Sequence, residues 1–269
     1  MTSEGIPGRN DTIVQRVRLA QQRAGIWFKV KFALVWAALI GAFVVALYLA
    51  GEIDLEWTAT WGPLILDGAR TTILLTVISI VLAVILAILG ALGRLSSNAV
   101  VYAVASLYVS LVRGTPLLVQ ISFIYLALPQ VGLVIPAFES GIIALSFNYG
   151  AYLTEIFRAG IQAVPPGQRE AAQALGMHER HVMRRIVLPQ AVRIVIPAIG
   201  NDFIAMIKDS ALVSTIAVQE LLWRAERAGR QSLNSLQALL VAALVYWVLT
   251  IIFSFFQERL EKRMARSDR

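Results

Sequence analysis

Long stretches without a charged residue are the feature that most restricts how this chain can fold. Residues 231–257 contain no Asp, Glu, Lys or Arg, and the same is true of residues 32–51 and 71–93. A transmembrane helix needs about 20 consecutive apolar residues, because the hydrocarbon core is about 30 Å thick and a helix rises about 1.5 Å per residue. The sequence therefore predicts a membrane-spanning helix in each of these stretches.

The composition excludes a water-soluble fold. Of the 269 residues, 58% are hydrophobic and 15% are charged, whereas a soluble domain is about half apolar and a quarter charged. The chain has no Cys, which excludes cysteine nucleophiles and thiolate metal sites. His178 and His181 alone leave little material for an imidazole site, so no metal site is expected.

Three further predicted spans contain charged residues. They are residues 95–112 and 114–138, which count as one span broken after Arg113, residues 141–163, and residues 193–218. All six spans have helix length, and none shows the alternating pattern of a β-barrel strand. The predicted fold class is an all-α integral membrane protein with six transmembrane helices.

The positions of Lys and Arg predict how the chain is oriented. Basic residues cluster before the first span, between the fourth and fifth spans, and after the last. With six spans these places fall on one side, which the positive-inside rule makes cytoplasmic, so both termini are expected in the cytoplasm. The net charge of +7 then reflects topology, and no nucleic acid is expected as a partner. The first span is about twice as long as a signal-peptide core and is expected to remain as a helix.

The connection between the fourth and fifth spans is unusually long, about thirty residues against the few that are typical. A Pro-Pro-Gly sequence ends the preceding helix. Two helix-compatible stretches, residues 168–175 and 179–188, then flank Gly176, and the second stops at Pro189. The pattern predicts a helix–Gly–helix element outside the membrane, although an amphipathic connector lying on lipid headgroups has the same composition.

Seven positions in this connection resemble the EAA loop of bacterial ABC importer permeases. They are Glu170, Ala171, Ala172, Gly176, Ile186, Leu188 and Pro189. Three other segments, RGTPLLVQ at 113–120, GAYLTEIFR at 150–158 and KDSALVS at 208–214, resemble the polar amino acid branch of that family, which handles histidine, glutamine and arginine. The Ser-Ala pair at 210–211 departs from the Thr-Ser that the branch often has.

The resemblance implies a permease subunit of an ATP-driven amino acid importer in the bacterial inner membrane. Its five-helix core would occupy residues 67–257, with the EAA loop at about 164–192 contacting a separate ATPase. A second permease subunit, identical or related, and an external amino acid-binding protein are the other implied partners. Outside the core, the expected parts are a cytoplasmic segment at 1–31, an additional transmembrane helix with its external loop at 32–66, and a basic cytoplasmic tail at 258–269.

The chain itself is not expected to be an enzyme. It contains no G-x-x-x-x-G-K-[ST] sequence, so it lacks the phosphate-binding loop of that kind. No cofactor is expected on this chain, and ATP and Mg²⁺ are expected on the partner ATPase.

Polar and ionisable residues inside the spans are candidates for the substrate path, because such groups are costly in a membrane. The candidates are Lys208, Asp209, Arg113, Thr115 and Gln120. Lys208 and Asp209 supply both signs of charge that a zwitterion needs, and Thr115 and Gln120 lie beside the broken helix and can add neutral hydrogen bonds. Two structural roles stay open: Arg113 can satisfy backbone groups freed by the break, and Lys208 and Asp209 can neutralise each other.

Two other functions remain as alternatives. A self-sufficient secondary amino acid transporter or channel would be expected to have coupling-ion carboxylates and paired broken helices, but the chain has one broken segment, and the long cytoplasmic loop would have no role. A membrane anchor that transports nothing would leave Arg113, Lys208 and Asp209 without a purpose.

Overall fold

The computed structural model describes residues 9–49 and 53–265. Three parts of the predicted organisation lie outside the described residues: residues 1–8 of the N-terminal segment, residues 50–52 of the external loop and residues 266–269 of the basic tail. The chain divides into two units, Met1–Leu55 and Glu56–Arg269.

The first unit contains helix α1, Arg9–Leu49, which is continuous over 41 residues. No proline interrupts it, and its apolar segment Ile26–Ala46 is long enough to cross a membrane. The segment overlaps the additional span predicted at 32–51.

The second unit is a bundle of helices. In chain order they are α2 (Leu55–Arg94), α3 (Ala99–Arg113), α4 (Leu117–Ser122), α5 (Ala137–Gln162), α6 (Pro166–Ala174), α7 (Glu179–Val182), α8 (Leu188–Asp209), α9 (Leu221–Ser232) and α10 (Ser235–Ala265). Short π- and 3₁₀-helical segments extend α4 to Val131, join α7 to α8, and extend α8 to Ile216. No strand occurs within residues 9–49 and 53–265, in agreement with the predicted all-α class.

Within the described residues, four helical segments are long and apolar enough to span a membrane, and the bent pair α3–α4 makes a fifth if it counts as one. The predicted span at 141–163 lies in α5, which is not among them. This helix carries Glu139, Glu155 and Arg158 and buries Asn148, because its neighbours in the bundle, rather than lipid, surround much of it. The count of six transmembrane helices stays a prediction.

Small residues let α2 and α5 approach closely. Ala83 and Ala87 are completely buried against α5, in a core that also contains Leu145 and Leu153. At Gly90 a Cβ atom would clash with the Thr154 side chain. Small residues in α2 thus line a close helix–helix contact.

A buried carboxylate joins three helices near the middle of α2. Glu220, which is fully buried, precedes α9 and accepts a hydrogen bond from the backbone N–H of Trp223 at 2.8 Å. It also accepts from Thr72 Oγ1 of α2 at 3.3 Å and from the Tyr246 hydroxyl of α10 at 2.5 Å. Burial raises the pKa of this carboxyl above its usual value, although these hydrogen bonds oppose the shift.

The second helix of the long connection does not stop at Pro189, contrary to the prediction from sequence. After α7 the chain forms a π-helical turn, Met183–Val187, and continues without interruption as α8. A proline is tolerated in the first turn of a helix, where its missing N–H removes no intrahelical bond of α8. The predicted span at 193–218 is therefore part of a longer helical run, Glu179–Ile216.

The close contact at Gly90 can be tested by Gly90→Ala. We expect a loss of about 1–3 kcal/mol in stability, because the new methyl group forces Thr154 and α5 to move. Thermal unfolding in detergent, followed by tryptophan fluorescence, measures the effect. Gly62→Ala in the same helix is the control, since its Cβ atom meets only Thr58 Cγ2 at 3.8 Å, and an unchanged midpoint for Gly90→Ala would contradict the packing described.

Candidate functional site

The break between α3 and α4 turns the chain by 104°. Gly114 ends α3, and Pro116, which has no N–H and restricts the residue before it, precedes α4. Two polar side chains satisfy backbone carbonyls at the break: Thr115 Oγ1 donates to Leu111 O at 3.0 Å, and Gln120 Nε2 donates to Val112 O at 2.8 Å and to Thr115 O at 3.1 Å.

At the break, Thr115 and Gln120 make the backbone hydrogen bonds that the sequence analysis left open for Arg113. The carbonyls at the break are satisfied by Thr115 and Gln120, while the Arg113 guanidinium lies over the Tyr152 ring at 5.1 Å from its centroid. Gln120 Oε1 also accepts a hydrogen bond from Asn148 Nδ2 of α5 at 3.3 Å. The broken segment is thereby held against α5.

A polar cavity of about 570 Å³ lies beside the break. Its lining comes from three segments: Arg113, Gly114, Thr115, Pro116 and Leu117 at the break, Asn148, Tyr149 and Tyr152 from α5, and Asp202, Ala205 and Asp209 from α8. Irregular backbone at membrane depth is tolerated where it lines a cavity or is buried in protein. The irregular backbone at the break is thus tolerated because it lines this cavity.

Both carboxylates of the cavity come from one face of α8. Asp209 Oδ2 accepts a hydrogen bond from the Tyr149 hydroxyl at 2.7 Å, which joins α8 to α5. Asp202 Oδ2 is buried, and no hydrogen-bond partner for it occurs among the residues the structure describes. A buried carboxylate oxygen without a protein donor is costly, so Asp202 Oδ2 is available to accept a hydrogen bond from a molecule in the cavity.

The structure separates two candidates that are adjacent in sequence. Asp209 lines the cavity, but Lys208 is exposed and is not among the lining residues. Consecutive residues of an α-helix point about 100° apart, since a turn takes 3.6 residues, so Lys208 points away from the face of α8 that carries Asp209. Of the other candidates, Arg113 and Thr115 line it, and Gln120 lines the adjacent apolar cavity.

Sequence reasoning missed four polar lining residues: Asn148, Tyr149, Tyr152 and Asp202. The signal for Asp202 was helical periodicity, because it lies seven residues, or about two turns, before Asp209. The three α5 residues lie in and beside the GAYLTEIFR segment, but nothing local distinguishes them from ordinary packing residues.

The long connection forms the predicted helix–Gly–helix element. Helix α6 is followed by Gly176 at φ +77°, a left-handed conformation that favours glycine, and then by α7. Ala172, which is 3% exposed, packs with Val164, Val182 and Val187 in a small apolar core beneath α6.

Four candidate coupling residues lie on or beside the surface of this element. Glu170, Ala171 and Pro189 are exposed, and Leu188 is 40% exposed. By contrast, Ala172 is buried, and Ile186 packs against the same core as Ala172. Glu170 is the fifth residue of α6, beyond its first turn, so the helix N-terminus is not its partner.

An ion pair and an exposed apolar residue complete the element. Arg169 Nε lies 3.4 Å from Glu179 Oε1, which ties α6 to α7. Leu175, at the end of α6, is 84% exposed.

A bundle of apolar helices with a polar cavity and a protruding helical loop defines a membrane transport subunit. The family described as "Binding-protein-dependent transport system inner membrane component" matches residues 83–266, which is more than half of the chain. The chain belongs to this family, as the resemblance in its sequence predicts. It is a permease component, and the alternative of a self-sufficient transporter is not favoured.

Two curated relatives are similar over most of their length. The L-cystine transport system permease protein TcyB of Bacillus subtilis is 40% identical over 79% of this chain and 91% of its own length. The arginine transport system permease protein ArtQ of the same organism is 38% identical over 81% of this chain and 100% of its own.

Solved structures share the fold. A crystal structure of an amino acid ABC transporter with histidines has a TM-score of 0.76 and 40% identity, covering 78% of this chain and 99% of that one. An inward-facing structure of the MetNI methionine ABC transporter has a TM-score of 0.62 at 17% identity, covering 79% and 99%, and shows the fold alone.

The hydrogen bonds from Gln120 to the backbone carbonyls at the break can be tested by Gln120→Ala. We expect a loss of about 1–3 kcal/mol, because the carbonyl of Val112 loses its donor at 2.8 Å and keeps only the longer hydrogen bond from Thr115 Oγ1 at 3.4 Å. The thermal midpoint in detergent measures the loss. Ser122→Ala is the control, since the exposed Ser122 hydroxyl donates only to Leu118 O in its own helix, and equal midpoints for the two variants would refute this role of Gln120.

Proposed function

We propose that this permease imports amino acids through the polar cavity and is driven by an ATPase that binds the helix–Gly–helix element. One observation carries the proposal: both ends of that element continue directly into helices that line the cavity. Helix α5 runs from Tyr152 at the cavity to Gln162 just before the element, and α8 runs from Leu188 to Asp202 and Asp209.

Continuous helices can transmit a displacement. Ten residues separate Tyr152 from Gln162, and fourteen separate Leu188 from Asp202, so the cavity lies about 15–21 Å along these helices from the element. An ion network braces α5 on the way, since Glu155 accepts from Arg94 of α2 at 3.1 Å and from Arg158 at 2.7 Å. A displacement of α6 would therefore be transmitted to the cavity by the helices α5 and α8, because no flexible loop lies between the element and the cavity-lining residues of these helices.

The chemistry of the cavity supports an amino acid as substrate. A zwitterion needs a cation for its carboxylate and an anion for its ammonium group, and Arg113, Asp202 and Asp209 supply both. The Tyr152 ring, already stacked under Arg113, holds the guanidinium in place. Relatives whose names specify cystine or arginine transport are consistent with this class.

The proposed assembly has further components. Two ATPase subunits would bind ATP and Mg²⁺, a second permease subunit, identical or related, would complete the path, and an external binding protein would deliver the substrate. In the bacterial inner membrane both termini and the helix–Gly–helix element would face the cytoplasm. The exposed residues of the element, Glu170, Ala171 and Leu175, would contact the ATPase.

Reconstitution in liposomes tests the proposal. The liposomes contain this chain with its ATPase, a binding protein is added, and ATP is supplied on the side of the membrane where the ATPase lies. We expect these liposomes to accumulate labelled amino acid. Omission of either ATP or the ATPase is expected to abolish the accumulation. The ATPase without this chain is the control. Accumulation by this chain alone against a gradient would contradict the proposal.

The turn between α6 and α7 can be tested by Gly176→Ala. An L-residue in the left-handed conformation costs about 1–2 kcal/mol, so we expect ATP-driven uptake to fall about fivefold or more while the amount of inserted protein stays unchanged. Gly167→Ala is the matched control, because neither glycine has a neighbour within 4 Å of its Cβ position but only Gly176 has a positive φ. Uptake equal to that of Gly167→Ala would show that the turn geometry has no part in coupling.

A further inference from the structure

An apolar groove runs along α8 and is separate from the polar cavity. Its lining comes from α2, α5 and α8, every lining residue is apolar, and none of them lines the polar cavity. We propose that this groove binds one acyl chain of an anionic phospholipid, whose phosphate group is held by Arg184 and Arg185. The inference goes beyond the proposed function, since it assigns a lipid site and does not depend on what the polar cavity transports.

The groove has a floor of buried side chains and a rim of exposed ones. Ala91 of α2 and Ala191 and Val195 of α8 form the floor and are at most 3% exposed. Leu92 and Val192 line the same groove and are 60% and 47% exposed. The groove is thus open at the surface of this chain and encloses about 320 Å³, and an apolar cavity of this kind holds an apolar ligand rather than water.

The length of the groove matches one leaflet of a membrane. Along α8 its lining residues recur at helical spacing from Leu188 to Ile199, which are eleven residues and therefore about 16 Å apart. Half of the hydrocarbon core is about 15 Å thick. An acyl chain lying along α8 would thus reach from the end of α8 that adjoins the helix–Gly–helix element to about the middle of the bilayer.

Two arginines lie at the end of the groove next to the helix–Gly–helix element. Arg184 and Arg185 precede Leu188 by four and three residues in the same helical run, so they extend the groove-lining side of that run by about one turn. Both are exposed, and neither side chain makes an ion pair within residues 9–49 and 53–265. Guanidinium groups pair with phosphate oxygens in bidentate geometry, so the two arginines are suited to a lipid phosphate at this position.

The surrounding charges favour an anionic lipid over a zwitterionic one. Near the same ends of α2 and α5, Arg94 and Arg158 share the single carboxylate of Glu155. This network therefore adds one positive charge to those of Arg184 and Arg185. Basic pockets between transmembrane helices bind anionic lipid headgroups, whereas a choline headgroup would bring a further cation to this surface.

The shape of the groove favours a hydrocarbon chain over a helix of a second subunit. A helix with its side chains is about 10–12 Å across, which is too wide for a cavity of this volume. Close helix contacts in membranes also rely on small residues at the contact surface, but the exposed rim of this groove carries Leu92, Leu188 and Val192. A lipid chain needs no such match, because it can follow an irregular apolar surface.

Lipid binding by the full chain, purified in a non-ionic detergent, tests the proposal. Labelled phosphatidylglycerol, which is anionic, is compared with labelled phosphatidylcholine, which is zwitterionic and carries the same acyl chains. We expect the tightest site to prefer phosphatidylglycerol about tenfold, as two basic residues support. In about 1 M salt, which screens the arginines, we expect the preference to fall to about twofold or less.

A pair of double variants tests the headgroup site. Arg184→Gln combined with Arg185→Gln is expected to lower the preference for phosphatidylglycerol to about twofold or less. Lys262→Gln combined with Arg263→Gln is the matched control, because it removes the same charge from the last turn of α10 and is expected to leave the preference unchanged. An equal effect of the two double variants would show that net charge alone, without a site at Arg184 and Arg185, sets the preference.

A second pair tests the groove itself. Val192→Trp places a ring in the groove and is expected to lower the binding of both lipids about fivefold or more. Ile194→Trp is the matched control, because Ile194 lies in the same helix and is 48% exposed but does not line the groove. If Val192→Trp does not fold, as judged by its thermal midpoint, the lipid preference of the native sequence and the arginine variants still decide the proposal.

Three results would overturn the inference. They are equal affinity of the native sequence for the two lipids, equal lipid binding by Val192→Trp and Ile194→Trp, and dissociation of a permease dimer by Val192→Trp with no loss of lipid. The third result would assign the groove to a second copy of this chain. None of the three bears on amino acid import, which the liposome assay measures separately.

Discussion

The requirement that every backbone polar group in a membrane be hydrogen-bonded controls the architecture of this permease. The chain interrupts one helix between Arg113 and Leu117, which frees carbonyls that lipid cannot satisfy. Thr115 and Gln120 supply the missing donors from within the segment, and Asn148 fixes Gln120 to α5. Because the break is repaired locally, its open side can line a cavity with Arg113 and Thr115.

Helix α5 has the opposite character to a lipid-facing helix. It contacts the break, the cavity, α2 and α8, and it buries polar residues such as Ser146 and Asn148 beside apolar ones such as Leu145. Helix α5 therefore contains more polar residues than a lipid-facing span, which is why it is not among the helices apolar enough to span a membrane although it packs in the centre of the bundle. The same helix leads into the helix–Gly–helix element, so this interior helix connects the cavity directly to the element.

Sequence alone predicted the features that are encoded locally. The broken helix follows from Gly114 and Pro116, and the helix–Gly–helix element follows from Gly176 between two helix-forming stretches. The cavity was only partly predictable, because its lining depends on which face of α8 meets α5: the neighbouring Lys208 and Asp209 diverge, whereas Asp202 and Asp209, seven residues apart, converge. Likewise, no residue type signals the π-helical turn at Met183–Val187 that carries the helix past Pro189.

The hydrogen bond between Tyr149 and Asp209 connects the two helices that run from the cavity to the helix–Gly–helix element. It joins α5 to α8 beside the cavity at 2.7 Å, and a donor–acceptor distance of about 3.6 Å no longer makes a hydrogen bond. The two helices meet again at the element, where α5 ends and α8 begins. In the proposed mechanism, a rotation of α8 that begins at that end would separate Asp209 from Tyr149, because the hydrogen bond joins side chains of two different helices.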